Sequence, residues 1–106
     1  MTSDIRSVLH ELRRRLAARY GSRLVSMVLY GSYARGEPED GSDIDVLVVL
    51  DGAVDPSVEI ARTELDVANV SLAHDVAVVC VFVSQDQFSS EQSPLLLNAR
   101  REGVAV

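Results

Sequence analysis

Apolar residues recur along this chain with two different periods, which predict an alternation of helices and strands. The first block repeats every three or four residues, so it predicts a helix from about Ser3 to Tyr20 with one buried stripe. Two almost uninterrupted apolar runs follow, bounded by turn residues, and they predict buried strands over Arg23–Tyr30 and Asp43–Leu50. We therefore expect an N-terminal helix that packs on a β-sheet.

The middle of the chain predicts a helix with one buried face. Asp55 suits an N-cap and Pro56 suits a first helical residue, so we expect the helix to begin there. Apolar residues at spacings of three and four predict the buried face, which consists of Val58, Ala61, Leu65, Ala68 and Leu72. The charged residues are expected on the solvated side, namely Glu59, Arg62, Glu64 and Asp66.

A third strand is predicted from about Asp75 to Val83. Because a helix connects it to the second strand, the two should be parallel neighbours. Beyond Ser84 the pattern predicts a short helix and then another that opens at Ser93-Pro94. Leu95–Leu97 are expected to complete the core, and residues 104–106 to add an edge strand.

Two carboxylates stand at the start of the second predicted strand. Strand side chains alternate between faces, so Asp43 and Asp45 point the same way, with Cα atoms about 6–7 Å apart. Two like charges at this distance repel each other and resist an apolar setting. A divalent cation removes the conflict, and carboxylate oxygens suit Mg2+. The pair therefore predicts a metal site, although an acidic residue at a strand start is also common as a plain solvated end.

The first predicted strand delivers a Gly-Ser pair to the same region. Gly31 lets the backbone approach a ligand closely. If Ser32 opens a helical turn, the free N–H groups there face an anion such as a phosphate. Gly-Ser after a strand is also ordinary turn chemistry. A phosphate cradle beside a metal-holding acid pair, however, is typical of nucleotidyl or phosphoryl transfer.

These residues carry a resemblance to a known family. Gly31-Ser32, ten intervening residues and then Asp43-x-Asp45 resemble the signature of the DNA polymerase β-type nucleotidyltransferases, in particular the minimal nucleotidyltransferases (MNT). The resemblance implies a two-layer α/β fold in which helices pack on one face of a small mixed sheet. It also implies nucleotidyl transfer from ATP to a hydroxyl, with one or two Mg2+ ions on Asp43 and Asp45 and phosphates on Gly31 and Ser32.

Two further residues are assigned to the site, each with an alternative. The resemblance places a third acid on the third strand, which implies that Asp75 shares a metal and accepts the proton of the attacking hydroxyl. The alternative is a polar strand end, and His74 before it departs from the apolar neighbour that is usual in the family. Arg35 would bind a phosphate, or else pair at the surface with Glu37 or Asp40.

The resemblance also implies a partner protein. MNT proteins are similar to the antitoxin half of two-gene modules whose toxin is a HEPN ribonuclease, and members are linked to AMP transfer onto a partner tyrosine. We therefore expect AMPylation of a HEPN toxin, since the 106 residues leave no room for an acceptor-binding domain. The alternatives are an antitoxin that blocks its partner by binding alone and a small-molecule nucleotidyltransferase.

The length, composition and charge of the chain exclude or disfavour several classes of protein function. With 106 residues, one domain over residues 1–106 is expected. All ten basic residues are arginine, which excludes a lysine nucleophile and a P-loop lysine. The net charge of −6 disfavours direct nucleic-acid binding. Neither a membrane-length apolar run nor a secretory signal is visible, so we expect a cytoplasmic location. Cys80, the only cysteine, is expected to be a small buried hydrophobe rather than a nucleophile.

Overall fold

The computed structural model describes residues 3–38 and 41–106, and this part of the chain forms a four-stranded mixed sheet with five helices. In chain order the elements are α1 (Ser3–Tyr20), β1 (Leu24–Tyr30), α2 (Gly31–Ala34), β2 (Ile44–Leu50), α3 (Pro56–His74), β3 (Val78–Ser84), α4 (Gln85–Ser90), α5 (Pro94–Glu102) and β4 (Val104–Ala105). The strand order is β3-β2-β1-β4. The predicted α/β class and the predicted succession of elements are confirmed.

Strand β2 lies at the centre of the sheet because it is apolar at nearly every position. Its residues 46–50 are all buried. It pairs antiparallel with β1 and parallel with β3, and the parallel pair is joined by α3. The short β4 adds an antiparallel edge beside β1. The sheet is therefore mixed, and the crossover from β2 to β3 is the one that the sequence predicts.

The two faces of the sheet are covered differently. Even-numbered residues of β2, from Ile44 to Leu50, pack with the buried stripe of α1 and with Val70 of α3. The odd-numbered Leu47 and Val49 pack with Leu96 and Ala99 of α5 on the other face. The prediction that helices cover one face holds for the two long helices, but the short helices at the C-terminal end cover part of the opposite face. No helix within the described ranges has the length and apolar content that crossing a membrane requires.

Helix α3 begins where the sequence predicts but presents the opposite face to the core. The Asp55 side chain accepts a hydrogen bond from the backbone N–H of Ser57, and Pro56 is the first helical residue. The predicted buried stripe is exposed, with Leu65 at 74% and Leu72 at 81% exposure. The buried residues of α3 are instead Glu59, Thr63 and Val70. The predicted orientation is therefore wrong.

A buried carboxylate explains why α3 has this orientation. Glu59 is 3% exposed and accepts hydrogen bonds from Tyr20 at 2.8 Å, from Arg23 at 3.1 Å and from Arg62 at 3.0 Å. Arg23 also donates to the backbone carbonyls of residues 51 and 53, after β2. A buried charge is tolerated when it is paired and hydrogen-bonded, as it is here. Tyr20 and Arg23 lie outside α3, so the periodicity of α3 alone cannot reveal them.

The third strand also starts later than predicted. Helix α3 continues to His74, Asp75 is its C-cap, and β3 begins at Val78. Val76 and Ala77 are apolar, which is why the pattern extends the predicted strand backwards.

Of the three leucines at positions 95–97, Leu96 is buried and Leu97 is 37% exposed.

Candidate active site

The pairing of β1 with β2 brings the two halves of the predicted site together. The strands are antiparallel, so the end of β1 lies beside the start of β2, and Tyr30 is the register partner of Asp45. Gly31 follows Tyr30 directly and opens α2. The Gly-Ser pair and the Asp-x-Asp pair, which are separated by ten residues in sequence, therefore meet at one edge of the sheet.

Gly31 is in direct contact with Asp45. Its φ angle is +75°, in the left-handed region that favours glycine. A Cβ atom at this position would lie 2.5 Å from Oδ2 of Asp45 and 3.3 Å from its Cγ. Glycine is thus required here both by the backbone conformation and by the space that the carboxylate occupies. No side chain separates the Asp45 carboxylate from the backbone of residue 31.

Asp43 and Asp45 form a closely spaced pair of like charges. Asp43 is exposed just before β2, and Asp45 is half-buried within it. Asp45 shares its face of the sheet with Leu47 and Val49, so it points away from α1 and α3. Burial raises the pKa of Asp45, the charge of Asp43 raises it further, and Arg35 opposes both effects. Such a pair gains from a cation, because the cation offsets both the desolvation and the repulsion.

The short helix α2 presents its first turn at the same edge. Its N-cap is Tyr30, whose side chain makes no capping hydrogen bond. The first N–H groups of a helix have no partner within the helix, so an incoming anion can bind them. Ser32, the second residue of α2, is half-buried and adds a hydroxyl. The phosphate cradle that the sequence predicts would lie at this turn, and it stays a prediction.

Arg35 is close enough to Asp45 to influence its pKa, and it is held by two other carboxylates. Its Nε lies 3.9 Å from an oxygen of Glu37, and its Nη1 lies 3.6 Å from an oxygen of Glu102 in α5. Asp40, the other predicted partner, lies outside the described residues. The ion pair with Glu102 cannot be predicted from the local sequence, because 67 positions separate the two residues. Arg35 is 45% exposed at the side chain, so its pairs are weak and a phosphate can compete for it.

Asp75 does not join the carboxylate pair. It caps α3 with φ +52° and ψ +49°, and its side chain is exposed. The residue of β3 in register with Asp45 is Val79. Across the ranges 3–38 and 41–106, no three histidine, cysteine, aspartate or glutamate residues form a group that could hold a metal ion. The structure therefore brings together Gly31, Asp43, Asp45 and Arg35, and leaves Asp75 at the end of a helix.

Two clefts open on the other side of this edge. One has a volume of about 520 Å3 and is lined by Tyr33, Ile44 and His74, among others. The other has a volume of about 460 Å3 and is lined by Tyr33 and Asp75, among others. Neither is lined by Asp43 or Asp45, so neither is assigned to the triphosphate.

The remaining candidate groups are structural. Burial raises the pKa of the Cys80 thiol to about 12, so it stays protonated at neutral pH and is a poor nucleophile. Two arginines near the end of α1 hold this helix against α3. Arg19 donates to Asp66 at 2.6 Å, and Arg15 lies 3.9 Å from the same carboxylate.

Relatives of this chain occur among named archaeal proteins. Over 83 residues it is 29% identical to a Methanocaldococcus jannaschii protein named "Putative protein adenylyltransferase", covering 78% of this chain and 77% of that protein. A second protein of the same organism and the same name is 38% identical over 45 residues, which cover 42% of this chain. The match spans only 31% of the length of that second relative.

Solved structures of related proteins share the fold. One of them is "Structure of putative minimal nucleotidyltransferase". The alignment covers 100% of this chain and 97% of that one, with a TM-score of 0.61 and 26% identity. A toxin-antitoxin complex with AMP-PNP aligns over 98% of this chain and 72% of its own, with a TM-score of 0.65 and 24% identity. A tri-AMPylated Shewanella oneidensis HEPN toxin in complex with MNT antitoxin gives a TM-score of 0.55 at 21% identity, covering 92% of this chain and 70% of that one.

The sequence itself matches a family model along most of its length. That model is described as "Nucleotidyltransferase domain", and it aligns with residues 9–99. The aligned region includes the Gly31-Ser32 turn, the Asp43 and Asp45 pair, and the sheet that joins them. This chain is a member of the nucleotidyltransferase domain family.

Proposed function

We propose that this protein transfers AMP from ATP to a hydroxyl group of a partner protein. The observation that carries the proposal is the contact of Gly31 with the Asp45 carboxylate, which brings the turn that would hold the phosphates against the acid pair. Nucleotidyl transfer needs little covalent help from the protein, because positioning and electrostatic stabilisation supply most of the rate. The Gly31-Ser32 turn and the Asp43 and Asp45 pair, which would form the two halves of such a site, lie at one sheet edge.

Asp43 and Asp45 would hold the metal. Their donor set fits Mg2+, since both groups are carboxylates, one is exposed, and the other has a pKa raised by burial and by its neighbour. When bound, Mg2+ neutralises triphosphate charge and assists the departure of pyrophosphate. The protein contributes two carboxylates, so the phosphates and water would complete the coordination.

Gly31, Ser32 and Arg35 would bind the phosphates. The backbone N–H groups at the start of α2 and the Ser32 hydroxyl donate hydrogen bonds, while Arg35 contributes a positive charge. Arg35 would exchange its weak pairs with Glu37 and Glu102 for the phosphate. Arg35 lowers the pKa of Asp45. If a phosphate pairs with Arg35, the metal would take over the role of offsetting the negative charge of Asp45.

The proton of the attacking hydroxyl would leave to a base outside this chain. Val79 stands beside Asp45 on β3, and Asp75 is placed at the end of α3. We therefore assign Asp75 to helix capping, and we assign deprotonation to the acceptor protein or to solvent. If the acceptor protein supplies the base, transfer would be efficient only to a partner that carries such a base beside its hydroxyl group.

The partner would be a HEPN-type toxin, modified on a tyrosine. Support comes from the relatives named protein adenylyltransferase and from the similar fold of an MNT antitoxin bound to an AMPylated HEPN toxin. The second candidate function is an antitoxin that blocks its partner by binding alone. The absence of a third carboxylate from the described part of the site favours this alternative.

Intact-mass spectrometry of the co-expressed toxin distinguishes these functions. The toxin would be co-expressed with the wild-type chain, with the Asp43→Asn/Asp45→Asn variant and with Asp75→Asn as the matched control. An AMP-sized increment with the wild type and with Asp75→Asn, but not with the double variant, is the expected result. A toxin that stays unmodified yet is silenced by all three forms would refute transfer and support binding alone. Loss of the increment in Asp75→Asn would refute our assignment of that residue.

A further inference from the structure

Helix α3 carries an apolar stripe that points away from its own protein. The stripe consists of Val58, Ala61, Leu65, Ala68 and Leu72, and all five residues are exposed. Leu65 and Leu72, at 74% and 81% exposure, are the most exposed large apolar residues among those described. Single exposed apolar residues need no explanation, but five at helical spacing form a continuous surface that usually meets another molecule.

The stripe cannot turn inward, because the opposite face of α3 is fixed. Glu59 is held by Tyr20, Arg23 and Arg62, and the Thr63 hydroxyl donates to the Glu59 carbonyl at 2.9 Å. Rotating α3 to bury Leu65 would break the hydrogen bonds that Tyr20 and Arg23, outside α3, donate to Glu59, and would leave the buried Tyr20 hydroxyl without its partner. The apolar stripe is therefore a permanent feature of the surface.

The stripe alternates large and small residues with a seven-residue period. Val58, Leu65 and Leu72 are large, and Ala61 and Ala68 lie between them. This is the pattern of the facing positions of a coiled coil, in which alanine lets two helices approach closely. In an antiparallel pair of such helices, each leucine of one copy meets an alanine of the other. The stripe is thus complementary in shape to itself.

One antiparallel register also satisfies the charges beside the stripe. When Leu65 lies opposite Ala68 of the second copy, Ala61 lies opposite Leu72 of that copy. On the two flanks of this pair, Arg62 lies beside Asn69 of the second copy and Glu64 lies beside Ser71, so that each of these charges meets a neutral hydrogen-bonding group. No like charges face each other, and both sets of contacts occur twice by symmetry.

We propose that a second copy of this chain covers the stripe, in a two-fold symmetric, antiparallel α3–α3 pair. The interface involves one helix from each copy, so it is small, and we expect a dissociation constant of about 1–100 µM. The pair leaves the carboxylates free, because Asp45 points from the opposite face of the sheet. The homodimer therefore presents two open sites, and the proposal does not depend on the proposed transferase activity.

Sedimentation velocity of the full chain over about 5–500 µM tests this interface. We expect a monomer–dimer equilibrium in the wild type and at least a 30-fold weaker dimer in Leu65→Glu. Leu97→Glu is the matched control, because Leu97 is an exposed leucine of α5, on the opposite face of the sheet, and this variant should dimerise like the wild type. A wild type that is monomeric at every concentration would overturn the proposal and would indicate that a different protein covers the stripe. Equal dimerisation of Leu65→Glu and Leu97→Glu would also overturn it.

A cysteine pair tests the register. In the Ala61→Cys/Leu72→Cys variant, the two cysteines lie on one helix about 16 Å apart, too far for a bond within one chain. Oxidation should therefore link two chains through two disulfides between positions 61 and 72. The pair is introduced in a Cys80→Ser background, so that the native thiol cannot form a competing disulfide. Oxidation without covalent dimer, at concentrations where the wild type is dimeric, would reject this register.

Discussion

The contact between Gly31 and the Asp45 carboxylate gives a quantitative prediction for the Gly31→Ala variant. The new Cβ would lie 2.5 Å from Oδ2 of Asp45, closer than real Cβ contacts allow, so the carboxylate must move. The left-handed backbone adds a separate cost, because φ is +75° at this position. Two independent terms therefore destabilise the variant, and each can be measured with its own control.

The magnitudes follow from these two terms. A non-glycine residue in the left-handed region costs about 1–2 kcal/mol. Forcing an extra methyl group against a packed neighbour typically costs about 1–3 kcal/mol. Gly52→Ala is the matched control, since its φ is +83° and its Cβ would meet no atom within 4 Å. We expect Gly52→Ala to lose only the backbone term, and Gly31→Ala to lose both.

Urea denaturation followed by circular dichroism measures the difference. Gly31→Ala should lie about 1–3 kcal/mol below Gly52→Ala in free energy of unfolding, and each 1 kcal/mol corresponds to a shift of about 4–8 °C in Tm. The same substitution in an Asp45→Ala background should lose this excess, because the two atoms nearest the new Cβ, Oδ2 and Cγ of Asp45, are removed. An equal cost for the two glycines, or an excess that survives in the Asp45→Ala background, would refute the contact.

Three further predictions concern the buried carboxylate, the acid pair and the strand beside it. Glu59→Ala should lower the free energy of unfolding by about 2–4 kcal/mol in urea, because it leaves the buried Tyr20 hydroxyl unpaired and removes the ion pairs with Arg23 and Arg62. The exposed Glu64→Ala should change it by less than about 0.5 kcal/mol, and similar losses in the two variants would contradict the network. Since the folded pKa of Asp45 is raised, its protonation stabilises the fold at low pH, and that contribution is lost as pH rises through the folded pKa. An NMR titration should thus find the pKa of the Asp45 carboxyl above its ordinary value, and less so in Asp43→Asn, and Mg2+ affinity should fall with acidity in the same range. An Asp45 pKa that is the same in Asp43→Asn as in the wild type would disprove the repulsion between the two carboxylates. Val79→Asp adds a carboxylate in register with Asp45, so isothermal calorimetry should show Mg2+ bound about tenfold more tightly, and an unchanged affinity would mean that position 79 does not face the metal.

The sequence predicts α1 and the carboxylate pair because their determinants are local. The apolar stripe of α1 is also its buried stripe, and its predicted ends, Ser3 and Tyr20, are the observed ends. The Gly-Ser turn and the Asp-x-Asp strand are likewise defined by adjacent residues. Their meeting follows from the antiparallel pairing of two consecutive strands, which is common between neighbours in sequence.

The orientation of α3 and the position of Asp75 depend on distant contacts. Glu59 is buried because Tyr20 and Arg23 reach it from another part of the chain, so a rule that places charged residues outside fails. Asp75 precedes an apolar run that is indistinguishable from a strand by period alone, and only the capping of α3 separates it from β3. The pair between Arg35 and Glu102 is hidden for the same reason.

The antiparallel pairing of β1 with β2 also bears on how the site is assembled during folding. Tyr30 and Asp45 become neighbours by closing one short segment, whereas Asp45 meets Val79 only after the whole of α3 has crossed over. Loop closure costs less entropy for the shorter segment, and contacts near in sequence form faster. The β1–β2 pair with its glycine and carboxylates can therefore nucleate before β3 docks. In this order of events the turn and the carboxylates of the candidate site come together first, and the parallel strand β3 docks afterwards.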